Sequence, residues 1–265
     1  MAVITLTTEW RADDYFFGIL RGTIESLSPG AQVIVNASGL PPLNTAHAAF
    51  VVRNTFHHYP EGTVHLISVN TESGIRARHL LVKARGHYFI GTDNGIFNLI
   101  LNSEPEMVIV LDDSEECGDA VLFAKTAAAI LGGADTSKLG HPADSIREMV
   151  PLRATIDSNA VNGSVIFIDS YGNAITNITR DILSRVFSEK GFSIFIQSNR
   201  HRVDHLSKFY SDAPVGELLA LFNSLDLLEI AINGANVSEL FDLEPGSVVR
   251  IAAETDKQGG TGLFT

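Results

Sequence analysis

Hydrophobic and polar positions alternate with two different periods in the first half of the chain. Short runs with strand-like alternation are separated by stretches in which apolar residues recur at helical spacing. The predicted strands are residues 3–8, 32–35, 63–69, 88–91 and 107–111, and the predicted helices are residues 17–27, 45–59 and 123–131. Strands that alternate with helices favour an α/β layer with a largely parallel sheet.

The pattern changes after about residue 150, where strand-like segments separated by turn residues predominate. These segments are residues 163–168, 175–178, 192–196, 227–232 and 247–252, and one helix is predicted around residues 215–223. Such a succession is typical of a small β-barrel or sandwich. We therefore predict an N-terminal α/β domain over residues 1–150 and a C-terminal β-barrel domain over residues 151–265, with a linker within residues 142–153.

Composition places the protein among ordinary globular proteins. Of its 265 residues, 45% are hydrophobic and 19% are charged. The 19 Lys and Arg residues face 31 Asp and Glu residues, which gives a net charge of −12. A surface of this charge repels a phosphate backbone and attracts a small cationic ligand, so we expect no nucleic-acid partner.

The single cysteine, Cys117, excludes an intrachain disulfide and a zinc site built from several cysteines. The first residues lack the pattern of a signal peptide, and no window is apolar enough to span a membrane. No metal-ligand spacing stands out. We therefore expect a cytoplasmic protein without a membrane partner, a metal or a cofactor.

Three carboxylates, Glu9, Asp13 and Asp14, follow the first predicted strand. Open α/β sheets hold ligands beyond the carboxyl ends of their strands, where carboxylates could bind both hydroxyls of a ribose or an ammonium group. Asp is also favoured as an N-cap, so Asp13 and Asp14 could instead begin the next helix. The sequence leaves both interpretations open.

Turn-like segments contribute further candidate residues. Residues 92–95, Thr-Asp-Asn-Gly, predict a hairpin turn. Residues 169–173, Asp-Ser-Tyr-Gly-Asn, combine a carboxylate, an aromatic face and an amide, which is the combination that an adenine ring needs. The pairs Asn223-Ser224 and Asn233-Gly234 flank the strand at 227–232 and are equally compatible with simple turn chemistry.

Taken in order, these pieces resemble the S-adenosylmethionine (SAM) hydroxide adenosyltransferases, relatives of fluorinase and chlorinase. The segments that carry the resemblance are residues 5–8 (TLTT), 59–66 (YPEGTVHL), 89–95 (FIGTDNG), 168–178 (IDSYGNAITNI) and 216–234. The resemblance implies an α/β domain followed by a β-barrel. It also implies a homotrimer whose site lies between the N-terminal domain of one subunit and the C-terminal domain of the next.

The resemblance also implies roles for individual residues around SAM as the small-molecule substrate. Glu9 stands where the family has an Asp that holds the ribose hydroxyls, and Asp14 stands at a position that contacts the methionine part. Asp169 and Ser224 match residues that bind the amino acid end. The residues that match the adenine side are Tyr171, Asn173 and Asn233.

The family's hydrolases displace methionine by attack of water on C5′ of the ribose, and they are thought to hold that water with an Asp, an Arg and a His. In this sequence these positions are Asn70, Ala77 and Gly118. The family's Asp-Phe-Gly motif is replaced by residues 9–11, Glu-Trp-Arg. The candidate substitutes near the water are Arg76, Arg78, Asp119 and His57.

Three functional hypotheses follow. The first is a SAM hydrolase that forms adenosine and L-methionine with a rearranged water site around Asn70. The second is a non-catalytic protein that binds SAM or adenosine, and the third keeps the fold but changes the ligand; halogenation has least support. A polar side chain that reaches the water position next to Asn70 would favour hydrolysis.

Overall fold

The computed structural model describes residues 3–71, 78–112, 118–157, 159–187 and 191–253. The chain divides into two compact units, Met1–Pro151 and Leu152–Thr265, which we call the N-terminal unit and the C-terminal unit.

The N-terminal unit contains a seven-stranded sheet with helices on both faces. Its strands are β1 (Val3–Thr8), β2 (Gln32–Ala37), β3 (Val64–Ser68), β4 (His79–Ala84), β5 (His87–Thr92), β6 (Met107–Leu111) and β7 (Gly140–Pro142). Its α-helices are α1 (Tyr15–Leu27), α2 (Thr45–Thr55), α3 (Ile96–Leu101) and α4 (Gly118–Leu131).

The order of the strands in this sheet is β2-β1-β3-β5-β4-β6-β7. The first four are parallel, whereas β4 is antiparallel to both β5 and β6, and β6 to β7. Strands β1, β3 and β5 therefore end at one edge of the sheet, at Thr8, Ser68 and Thr92, and β4 begins there with His79 opposite Thr92. We call this the carboxyl edge.

Two apolar layers pack on this sheet. Helices α1 and α4 cover one face, where Phe17, Leu20 and Ile24 of α1 share a core cluster with Phe123 and other residues of α4. Helices α2 and α3 cover the other face. The spacing of three to four residues along α1 places its apolar side chains on one stripe, which explains why this segment folds as a helix against the sheet.

The C-terminal unit is an antiparallel, barrel-like sheet of eight strands. Its strands are β8 (Thr155–Asp157), β9 (Ala160–Ile168), β10 (Ala174–Thr179), β11 (Phe192–Ile196), β12 (Ser198–Val203), β13 (Leu218–Phe222), β14 (Leu227–Ile232) and β15 (Val248–Ala253), and its helices are α5 (Arg180–Phe187) and α6 (Val237–Leu240). The order is β12-β11-β15-β9-β10-β14-β13, with β8 on β9. The end strands β12 and β13 contact each other, so the sheet nearly closes around one apolar core.

The predicted fold class is confirmed, an α/β layer followed by a β-barrel-like sheet; in the first sheet five strands run in one direction, and β4 and β7 run in the other. The helix predicted around 215–223 is wrong, because Leu218–Phe222 is strand β13 and pairs with β14. Five consecutive apolar residues carry no helical period, so periodicity could not separate the two states. The strands and α-helices that the sequence analysis missed are β4, β7, β8, β12, α3, α5 and α6.

The hairpin turn predicted at 92–95 is also wrong. Gly95 has φ 96° and is the N-cap of α3, so the segment connects a strand to a helix. The Asn94 amide donates to the carbonyl of Val69 at 2.9 Å, and its oxygen accepts from Ile96 N at 3.2 Å. Asn-Gly indeed supplies the left-handed position here, but the tertiary bonds of Asn94 direct the chain into a helix.

Candidate functional site

A cavity of about 370 Å³ lies where the carboxyl edge meets the first turns of α1 and α4. The described residues that line it are Glu9, Trp10, Phe16, Ile19, Leu43, Thr71, Gly118, Asp119, Ala120 and Val121. Two carboxylates and two aromatic rings stand in this lining, and none of its described residues is basic. We call it the carboxyl-edge cavity.

Glu9 ties together the segments that follow β1, β2 and β3. Its Oε2 accepts a hydrogen bond from Leu43 N at 2.7 Å and another from Asn70 N at 3.2 Å. Both donors belong to residues with positive φ, 61° at Leu43 and 50° at Asn70. Glu9 therefore holds two unusual backbone conformations at the wall of the cavity, a role that the sequence did not reveal.

The other two acidic residues of this segment have local partners. Asp14 is the N-cap of α1, and its Oδ1 accepts from Phe16 N at 3.0 Å. Asp13 pairs with Arg11 at 2.8 Å on an exposed surface. The capping interpretation of Asp14 is thus confirmed, while its contact with the methionine part of a ligand stays a prediction.

A histidine and an aspartate that are far apart in sequence meet at the carboxyl-edge cavity. His79 Nε2 lies 3.1 Å from Asp119 Oδ1, and His79 Nδ1 lies 3.1 Å from Thr92 Oγ1. Thr71 also lines this cavity. The hydrogen bond from His79 is the main reason that the pKa of Asp119 lies below its usual value, with smaller help from Thr71, against burial, which raises it.

The candidate substitutes for the family's water-holding residues lie in different places. Asp119 lines the cavity, directly after Gly118. Arg78 is instead paired with Asp93 and donates to the carbonyl of Ser145 at 3.1 Å, so its guanidinium fixes a neighbouring loop. Arg76 and Ala77 lie outside the described residues.

His57 lies in a second cavity of about 480 Å³ at the opposite edge of the sheet, where β5 begins. Arg53, Arg85 and His87 line this cavity with it. Behind His87 stands the buried His65, whose pKa burial lowers to about 3, with a smaller contribution from His87. His57 is therefore at the wrong edge to serve the carboxyl-edge cavity.

In the C-terminal unit, the predicted adenine loop between β9 and β10 is organised by Asp169. Its Oδ1 accepts from Tyr171 N at 2.9 Å and from Asn173 N at 2.8 Å, while its Oδ2 accepts from the Asn173 amide at 3.1 Å. Gly172, with φ 81°, packs so tightly that a Cβ there would overlap the side chain of Asn236. The Tyr171 ring is 79% exposed and can stack on a planar ligand.

A buried carboxylate beside this loop escaped the sequence reading. Glu229 of β14, only 3% exposed, accepts from Tyr210 Oη at 2.6 Å and from the Asn223 amide at 3.2 Å. Burial, followed by the hydrogen bond to Glu229 and the charge of that carboxylate, raises the pKa of Tyr210. A lone Glu inside the apolar run 227–232 was the signal that could have revealed this network.

The remaining predicted residues lie at the two ends of β14. Ser224 is exposed in the turn before this strand, and Asn233 follows it and donates to the carbonyl of Ala213 at 2.8 Å. Six residues of strand separate them, a span of about 20 Å. The structure therefore does not gather the five predicted C-terminal residues into one cluster, and only an extended ligand can contact both ends.

No group of three or more His, Cys, Asp or Glu side chains among the described residues is arranged to hold a metal ion. None of the described helices combines the length and apolar character needed to cross a bilayer.

Comparison with known families decides which group of proteins this architecture represents. The profile of the SAM hydroxide adenosyltransferase N-terminal domain matches residues 4–140, and that of the C-terminal domain matches residues 163–250. The chain belongs to the SAM hydroxide adenosyltransferase family. Glu9 lies in the first matched region and Asp169 in the second, and their roles in binding stay predictions.

Individual relatives within the family are distant but extend over nearly the whole chain. A protein of Thermus thermophilus named (R)-S-adenosyl-L-methionine hydrolase is 26% identical over 95% of this chain and 100% of its own. A protein of the same name from Methanocaldococcus jannaschii is 23% identical over 91% of this chain and 92% of its own.

Solved structures share the two-unit fold of the family. The crystal structure of an uncharacterized conserved protein from Thermotoga maritima superposes with a TM-score of 0.82 at 22% identity, covering 94% of this chain and 99% of that one. A conserved hypothetical protein from Thermus thermophilus superposes with a TM-score of 0.76 at 26% identity, covering 95% and 100%.

Proposed function

We propose that this protein hydrolyses SAM to adenosine and L-methionine. The observation that carries the proposal is the lining of the carboxyl-edge cavity, in a chain of this family. The carboxylates of Glu9 and Asp119 and the rings of Trp10 and Phe16 suit a sulfonium cation, since carboxylates attract it by charge and aromatic faces by their quadrupoles.

The chemistry places modest demands on such a site. Methionine leaves the sulfonium as a neutral thioether, which is a good leaving group. The protein therefore needs no general acid to expel it. It must hold the substrate and a water molecule in line with the C5′–S bond and keep other water away. The polar groups of Asp119 and Thr71 next to the apolar wall of Ile19 and Val121 meet these two demands in one cavity.

The relatives support this choice of substrate, because their names specify hydrolysis of the R form of SAM. We extend the same reaction and the same sulfonium configuration to this protein. A hydrolase should release adenosine and methionine in equal amounts, whereas a protein that only binds SAM should release heat on titration without either product.

The experiment is therefore to incubate the purified protein with (R)-SAM and, separately, with the S epimer, and to follow adenosine by chromatography. Calorimetric titration with SAM runs in parallel. Adenosine from the R epimer supports the proposal. Binding heat without adenosine would establish the non-catalytic alternative, and neither heat nor product would exclude SAM as the ligand.

We further propose that the complete site forms in a homotrimer in which Tyr171, Asn173 and their neighbours reach the carboxyl-edge cavity of the adjacent subunit. Mixing two inactive variants, Glu9→Gln and Tyr171→Ala, tests this. Random mixing in a head-to-tail ring gives about a quarter of the sites two intact halves, so about a quarter of the wild-type activity should return. A site within one subunit would give no recovery. The cytoplasmic location stays a prediction.

A further inference from the structure

At the carboxyl-edge cavity, two titratable side chains from distant segments form a pair that ligand binding alone does not require. His79 is 5% exposed at the start of β4, and Asp119 is 25% exposed in the first turn of α4. The imidazole thus stands behind the carboxylate, and the carboxylate alone of the two lines the cavity.

The hydrogen bonds behind Asp119 fix its orientation. His79 Nε2 lies 3.1 Å from Asp119 Oδ1, and its Nδ1 lies 3.1 Å from Thr92 Oγ1. Thr92 Oγ1 in turn can donate to the carbonyl of Thr71 at 3.2 Å. His79 therefore has a partner at each ring nitrogen, and its Nε2 holds the carboxylate of Asp119 from the side away from the cavity.

The Thr92 hydroxyl has one proton and two acceptors within reach, the carbonyl of Thr71 and His79 Nδ1. When this proton goes to His79 Nδ1, the other ring nitrogen, Nε2, is the one that donates to Asp119.

We propose that Asp119 is the catalytic group that polarises the attacking water and accepts its proton, and that His79 positions it. This inference rests on the proposed hydrolase function. In the step, the water oxygen forms a bond to C5′ as the C5′–S bond breaks, and the electron pair of that bond stays on sulfur, which becomes the thioether of methionine. The water proton moves to Asp119 and then to solvent, so charge and atoms balance.

The alternative for this pair is a purely structural role, in which His79 and Asp119 only join β4 to α4. A structural pair would change stability when broken and would leave turnover of the folded protein intact. Removal of a catalytic carboxylate instead lowers kcat far more than it weakens SAM binding, because its attraction for the sulfonium is small beside its action on the water.

The test compares Asp119→Asn with Asp181→Asn, which changes an exposed carboxylate on α5 of the C-terminal unit. We expect Asp119→Asn to lower kcat for adenosine release by a factor on the order of 10²–10³. Calorimetry should show a Kd for SAM weakened by no more than about fivefold, the most that a partly exposed ion pair contributes. The control should match the wild type in both measurements.

Two variants of His79 separate positioning from packing. His79→Gln keeps an N–H donor near the place of Nε2 and should retain much of the kcat. His79→Leu keeps apolar packing against Phe123 but removes the donor, and it should lower kcat at nearly unchanged KM. His141→Gln, an exposed histidine paired with Asp112, is the matched control.

The outcomes are distinct. Loss of turnover in Asp119→Asn and His79→Leu, with SAM binding preserved and His79→Gln active, supports the inference. An Asp119→Asn enzyme as fast as Asp181→Asn overturns it while leaving the hydrolase function standing. A wild-type protein that binds SAM but releases no adenosine overturns both.

Discussion

Glu9 offers the most informative single perturbation, since its carboxylate has both a structural and a proposed binding role. Replacing it by Ala removes the acceptor for Leu43 N and Asn70 N, both held at positive φ. A hydrogen bond to a charged group contributes about 1.5–3 kcal/mol when its loss leaves the partner unsatisfied.

The exposure of the two N–H donors determines how much Glu9→Ala lowers the free energy of unfolding. Leu43 is exposed, so water can replace Glu9 there at little cost, whereas the bond to Asn70 N is partly buried. We therefore expect Glu9→Ala to lower the free energy of unfolding by about 2–3 kcal/mol. Glu9→Gln keeps an acceptor oxygen but loses the charge, so about half of the effect should remain, about 1 kcal/mol.

The assay is urea denaturation of the three proteins, with the midpoint compared at constant m value. Glu25→Ala is the control, because Glu25 is exposed on α1 and its oxygen lies 4.0 Å from Arg21, a contact expected to contribute less than about 0.5 kcal/mol. If Glu9→Ala unfolded within the range of this control, or if the Ala and Gln variants were equal, the bracing role of Glu9 would be refuted.

Three further predictions concern other parts of the structure. Gly172→Ala, which combines φ 81° with overlap on Asn236, should lower the free energy of unfolding by about 2–4 kcal/mol in urea; a loss below about 0.5 kcal/mol would contradict the tight packing of the loop. Because burial lowers the pKa of His65 from 6.5 to about 3, the unfolded chain binds a proton that the folded protein excludes, and stability falls as the pH drops below 6.5, by about 2 kcal/mol at pH 5. His65→Gln should flatten this pH dependence of the urea midpoint, and an unchanged profile would assign it to other groups. Tyr210→Phe removes one donor to the buried Glu229 and should cost about 1–3 kcal/mol; thermal unfolding at the wild-type temperature would count against the network.

Local signals in the sequence were sufficient for part of this site. Asp14 was recognisable as a helix cap because its partner, Phe16 N, lies two residues away. The loop at 169–173 was recognisable for the same reason, since the hydrogen bonds that the Asp169 carboxylate accepts from Tyr171 and Asn173 lie within the loop.

The rest depends on contacts between distant segments, which composition and periodicity do not encode. His79 and Asp119 are 40 residues apart, and they meet because β4 starts at the edge where α4 begins. Glu9 likewise accepts hydrogen bonds from Leu43 and Asn70 only because β1 lies between β2 and β3 in the sheet. Strand β13 was misread as a helix for the same reason, since only its partner β14 decides its state.

The most direct test of the central claim is hydrolysis of SAM in water enriched in oxygen-18, with mass spectrometry of both products. Direct attack of water on C5′ predicts one labelled oxygen in adenosine, at its 5′-hydroxyl, and none in methionine. Unlabelled adenosine, label in methionine, or methylthioadenosine in place of adenosine would contradict the proposed reaction.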